Sequence, residues 1–175
     1  YVDISGTYAG KMVAFFNAGE SSTESEAAVV SITGGTTNTA TVGTHVSWVQ
    51  SSTDTNAAGG NDVQNFLDAW DDEQDQGIAI YRTGTDNYKV RGRVYTVSGT
   101  SISFGTKFSV FDPQIGTQGA STGAVIANVG AGKYICASLE RPSQSSGARY
   151  LFYQPVTVSA TDGSVTLGQQ YSYNI

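Results

Sequence analysis

Apolar residues in this chain fall on alternate positions over short stretches separated by glycine, serine and asparagine, the period-two pattern of half-buried β-strands. In Arg91–Phe111 (RGRVYTVSGTSISFGTKFSVF) two strands join through a turn. In the second of them Ile102, Phe104, Phe108 and Val110 share one parity, while Ser101, Ser103, Lys107 and Ser109 share the other. The pattern predicts that all four apolar residues lie on one buried face. It also recurs. Thr41-Val42-Gly43, Ser103-Phe104-Gly105 and Thr166-Leu167-Gly168 each read Ser/Thr, apolar, Gly. Beyond the glycine, Val46, Phe108 and Tyr171 correspond, and then Trp48, Val110 and Tyr173. Each trio is expected to point to the buried side of its strand.

Three further strands precede each of these segments. One set is Val2–Thr7, Val63–Trp70 and Thr122–Val129; the next is Lys11–Asn17, Gly77–Thr83 and Lys133–Leu139; the last is Ala27–Thr33, Val90–Val97 and Tyr150–Val158. In the second set Met12, Ile78 and Tyr134 align, as do Ala14, Ile80 and Cys136. The chain is thus expected to be a single all-β domain, residues 1–175, with repeat units at about 1–50, 61–111 and 121–175. Each unit is a four-stranded antiparallel meander, and the unit length favours β-propeller-like blades over a β-trefoil or a β-sandwich. Three blades leave exposed ends that demand another chain or further blades. The polar stretches Ser51–Asn61 and Asp112–Ser121 mark the unit boundaries, and Ala18–Ser25 is a polar loop inside the first unit.

Composition narrows the chemistry. The 21 glycines and ten tyrosines suit tight turns and pleated surfaces rather than helices. A net charge of −6 argues against a protein that neutralises phosphates, so nucleic acid is not an expected partner. Cys136 is the only cysteine, which excludes an intrachain disulfide and a cysteine zinc cage and reads as a small core residue. No apolar run reaches the length of about 20 residues that spans a bilayer, and no signal peptide is visible, so a soluble chain without membrane insertion is expected.

Candidate sites are few. His45, the only histidine, sits on the polar side of its strand with no nucleophile motif anywhere, so no enzyme activity is expected. The acidic run Asp68, Asp71, Asp72, Glu73 and Asp75 lacks the spacing of a calcium loop and reads as a solvated turn, so no cofactor is expected. Lys89, Arg91 and Arg93 alternate with Val90, Gly92 and Val94, placing three cations on one strand face. They suit either an acidic partner or an exposed strand whose charges prevent edge pairing. Trp48 reads as core, whereas Trp70, next to the acidic turn, reads as an exposed contact. Tyr171, Tyr173 and Ile175 give the last strand apolar weight to hold it against something.

The wording VRGRVYTVSGTSISFG, preceded by a turn and a GxAxY strand, resembles the tandem β repeats of tail-fibre and other virion structural proteins of bacteriophages, particularly marine ones. The resemblance covers Gly77–Val110 best; Pro155 and the insert Thr161-Asp162-Gly163 depart from it. It implies a non-enzymatic virion building block, in capsid decoration or in a fibre. Its partners are then copies of itself or other virion proteins, and host glycans are a further contact. The alternative is a lectin-like module, secreted or at a cell surface, whose aromatic residues stack on sugar rings.

Overall fold

The computed structural model describes residues 2–3, 11–17, 24–33, 39–50, 63–83, 90–111, 122–140 and 149–175. Among them all regular structure is strand, in three antiparallel sheets of five strands each. The first sheet holds β1 (Val2–Asp3), β2 (Lys11–Asn17), β3 (Glu24–Thr33), β4 (Thr39–Val42) and β5 (Val46–Gln50). The middle sheet holds β6 (Val63–Asp71), β7 (Gln76–Thr83), β8 (Val90–Ser98), β9 (Ser101–Phe104) and β10 (Phe108–Ser109). The third holds β11 (Thr122–Gly130), β12 (Lys133–Glu140), β13 (Tyr150–Val158), β14 (Val165–Leu167) and β15 (Tyr171–Asn174). Each sheet is a meander of four paths, because its last two strands both pair with the third. The expected boundary loops lie outside the described residues.

The fourth path breaks at the repeated glycine. Gly43 N–H donates to the Val29 carbonyl at 2.8 Å, Gly105 to Val94 at 2.8 Å and Gly168 to Pro155 at 2.9 Å. The chain then rolls over before it pairs again. In the middle sheet Ile102 and Phe104 pack on the side of Tyr95, whereas Phe108 and Val110 pack on the opposite side with Ile80 and Val90. The single apolar face expected for these four residues is therefore corrected: the kink interrupts the alternation, and the fourth path serves both faces of its sheet.

The three kink hydrogen bonds make Val29, Val94 and Pro155 equivalent, and their strand pairings then make Val13, Ile78 and Ile135 equivalent. Met12 and Tyr134 accordingly match Gly77, and Ala14 and Cys136 match Ala79. The expected alignment of the second strands was one residue out in the middle unit, and a slip of one exchanges the faces. In the corrected register each sheet has a forward face, carrying the position of Val13, Ile78 and Ile135, and a rear face, carrying that of Ala14, Ala79 and Cys136.

The sheets stack forward on rear. Phe15, Val29 and Trp48 of the first sheet pack against Ala79, Tyr81 and Tyr95 of the middle one. Ile78, Ile80 and Val94, on the forward side of the middle sheet, pack against Tyr134, Cys136 and Val156 of the third. Both faces of the middle sheet are thus covered, and Ile78, Ile80, Tyr81 and Tyr95 are each at most 1% exposed. Burying one such side chain contributes roughly 1.5–3 kcal/mol, so the middle sheet supplies much of the core energy. Gly92 makes the packing possible at one point: a Cβ there would lie 2.6 Å from the Phe108 ring that covers it. Cys136 is fully buried, and burial pushes its thiol up to about 12.

Candidate functional site

Among the described residues, the forward face with no sheet upon it belongs to the third sheet. Strand register puts Val125 beside Ala137, Ala137 beside Tyr153 and Tyr153 beside Tyr171 in one row, with Ile135 and Pro155 in the next and Leu151 and Tyr173 in a third. Directly paired residues in antiparallel strands share a face, so these rows form one continuous surface. It is apolar and accessible: Val125 is 55% exposed, Tyr153 39%, Tyr171 54% and Tyr173 65%. A contiguous apolar patch of this kind marks an interaction surface on a folded protein.

Tyr171 and Tyr173 occupy the positions of Val46 with Trp48 in the first unit and Phe108 with Val110 in the second. Trp48 and Val110 are buried because the next sheet covers them. The buried orientation expected for the two tyrosines is corrected: their face is the forward one, as the repeat requires, but among the described residues no sheet lies upon it.

The other proposed contacts lie inside the stack. Trp70 is only 8% exposed and its ring sits 5.5 Å from that of Tyr95, in the core between the first and middle sheets. The expectation of an exposed contact is corrected, because the first sheet covers the rear face on which Trp70 lies. Arg91 and Arg93 share that face. Arg91 Nη1 donates to Ser109 Oγ at 2.6 Å and Arg93 Nη1 to the Gly105 carbonyl at 3.1 Å. Both are half-buried ties to the kinked fourth path rather than the freely exposed cations expected. Gln154, equivalent to Arg93, does the same in the third sheet through Nε2 to the Gly168 carbonyl at 2.7 Å. Lys89 lies outside the described residues.

The acidic turn also has a different role from the solvated one expected. Asp71 is buried, accepting from Glu73 N–H at 2.9 Å and, across the sheet boundary, from Gly132 N–H at 2.6 Å. Glu73 Oε2 accepts from Ala131 N–H at 3.1 Å. Two carboxylates thereby hold the tip of the β11–β12 hairpin, whose Gly130, Ala131 and Gly132 all have positive φ; the Gly130 N–H donates within the hairpin to Asn128 Oδ1 at 2.8 Å. Asp72 and Asp75 remain exposed. Among the described residues no group of three or more His, Cys, Asp or Glu side chains is placed to hold a metal ion. His45 is exposed, 3.4 Å from Glu26 and edge-on to Phe16.

A cleft of about 730 Å³ lies between the kink at Gly105–Lys107 and the turn at Ala160–Ser164 of the third sheet. Gln74, Thr96, Ser103, Lys107 and Asp162 line it together with the Phe104 ring. Asp162 Oδ1 accepts from Ser164 N–H at 3.0 Å, and hydrogen bonding from Ser164 and Ser159 lowers its carboxyl to about 2. The cleft exists because the Thr161-Asp162-Gly163 insert lengthens the turn. At the equivalent place between the first and middle sheets, the kink at Gly43 lies directly against Thr100 and leaves no gap.

Among the described residues no helix is long and apolar enough to cross a membrane. Comparison of the chain with protein-family models, with curated proteins and with solved structures found no match in any of the three.

Proposed function

We propose that this protein is a structural component of a virion, in capsid decoration or a fibre, that works by contact between subunits and not by chemistry. The observation that carries the reading is the uncovered forward face of the third sheet, an apolar surface with three tyrosines where both earlier units have a neighbour. The virion assignment itself rests on the resemblance of Gly77–Val110 to phage tandem repeats. Tyrosine suits such a contact because it provides large, stiff apolar area with a polar tip. Quantitative mass spectrometry of purified particles from a phage encoding this chain tests the assignment. It expects the protein at many copies per particle, and absence from intact particles counts decisively against it.

A second reading, saccharide binding, is favoured by the cleft. Its volume lies within the range typical of small-ligand sites, and it combines hydroxyl, amide and charged groups with an aromatic ring. Trp70 is too buried to serve as the test residue. The discriminating experiment is a glycan array with the unaltered chain and with Lys107→Ala. No binder on the array, or binding unchanged by the substitution, removes this reading.

A further inference from the structure

We infer that the outer face of the third sheet is the docking face for the first sheet of a second copy of this chain, so that copies add head to tail. The inference rests on the structural-component reading above and names its partner. Its warrant is continuity with two interfaces that the chain already makes within itself. In both, the forward face of one sheet covers the rear face of the next. Among the described residues, three sheets stacked in this sense leave one forward face and one rear face without a sheet upon them. The forward face is that of the third sheet. The rear face is that of the first sheet, where Met12, Val30 and Val42 form one paired row and Val42 is 56% exposed.

The two leftover faces have the shapes that the internal interfaces use. At the centre of each covered rear face the second strand carries a small residue, Ala79 in the middle sheet and Cys136 in the third, both at most 1% exposed. The first sheet has Ala14 at the same position. The forward faces carry their bulk just past the kink, Val46 in the first sheet and Phe108 in the middle one, and the third has Tyr171 there. Ridge and groove are therefore both present: Tyr171 is exposed, Met12, Ala14 and Val30 are half-buried beside a closed Ala28, and among the described residues no sheet lies on either face. Pairing two third sheets with each other instead sets the ridge of Tyr153 and Tyr171 against its own copy. Head-to-tail addition also explains Val42. Its equivalents Phe104 and Leu167 pack into the core beside a preceding sheet, whereas Val42 has no such sheet in a single copy. Two copies bring six sheets, inside the range of about four to eight over which stacked meanders close into a ring.

The test uses the purified chain, with mass determined by light scattering behind size exclusion over a wide concentration range. The unaltered chain is expected to form dimers, or longer oligomers of the same contact. Val42→Asp on the first sheet and Tyr153→Asp on the third alter side chains that are exposed in one copy, so both variants should fold, which circular dichroism checks. Each places a charge in the contact and is expected to weaken self-association by about a hundredfold or more. Mixing the two restores a dimer, because each variant keeps the face that the other has lost. A third-sheet pair behaves differently: Tyr153→Asp abolishes it, Val42→Asp leaves it intact and mixing restores nothing, an outcome that overturns head-to-tail docking but leaves the structural-component reading standing. A chain that stays monomeric at every concentration overturns docking of a second copy altogether. Hydroxyl-radical footprinting of the unaltered chain gives an independent answer. Met12 and Tyr173 should become protected together as concentration rises, and protection of Tyr173 without Met12 overturns the proposal.

Discussion

At the scale of single residues, the side chains that hold neighbouring sheets together are polar ones that the sequence presents as surface. Asp71 sits in a run of acids that keeps a hairpin soluble, yet its carboxylate is buried on the Gly132 amide of the next sheet. A buried amide left without its acceptor costs about 1–3 kcal/mol, so Asp71→Ala should lower stability by that amount, read from the midpoint of a denaturant titration. Asp72→Ala, one residue on and exposed, should stay within about 0.5 kcal/mol. Equal effects of the two would show that the run acts through its net charge alone. The sequence could not separate them, because which acid meets an amide depends on where the next sheet comes to rest. Arg91, Arg93 and Trp70 were opaque for the same reason. A strand pattern specifies which residues share a face but not whether another sheet covers it.

At the scale of elements, strand positions and the threefold repeat were legible, because alternation and turn residues act locally. The facing of the strands was legible only in part. β7 is buried on both faces, so its Ile78-Ala79-Ile80-Tyr81 run is apolar at either parity and gives no sign of register. The kink was visible as a glycine but not as a device that moves the chain from one face to the other. The three kink glycines also differ in what they demand. A Cβ at Gly43 would lie 1.9 Å from the Thr100 carbonyl oxygen, which is backbone and cannot swing away. At Gly105 the nearest atom is 3.6 Å away, an ordinary contact. Gly43→Ala is therefore expected to cost about 1–3 kcal/mol or more by forcing the first and middle sheets apart. Gly105→Ala should be nearly silent, within about 0.5 kcal/mol. Thermal melts of the two variants decide it: equal losses would mean that the kink itself, and not the neighbour's turn, requires glycine.

At the scale of the whole molecule, the two interfaces differ in chemistry but share one sheet. Between the first and middle sheets the core is aromatic, with Trp48 stacked 5.5 Å from Phe104 and edge-on to Tyr81 at 5.2 Å. Between the middle and third it is chiefly aliphatic, closed by Cys136. The chain's two tryptophans both lie in the first interface and its only cysteine in the second, so each interface carries its own probe. If the sheets were independent blades, tryptophan fluorescence and thiol labelling would report separate transitions. Detaching the first sheet, however, uncovers Tyr81 and Tyr95, and detaching the third uncovers Ile78 and Ile80 on the other face of the same sheet. Neither interface can open without removing half of what holds the middle sheet folded. Cooperative two-state unfolding should follow, with both probes giving one midpoint in guanidinium and Cys136 unreactive before it. Thiol labelling at clearly lower denaturant than the fluorescence change would mean that the third sheet detaches by itself and that the middle sheet stands without it.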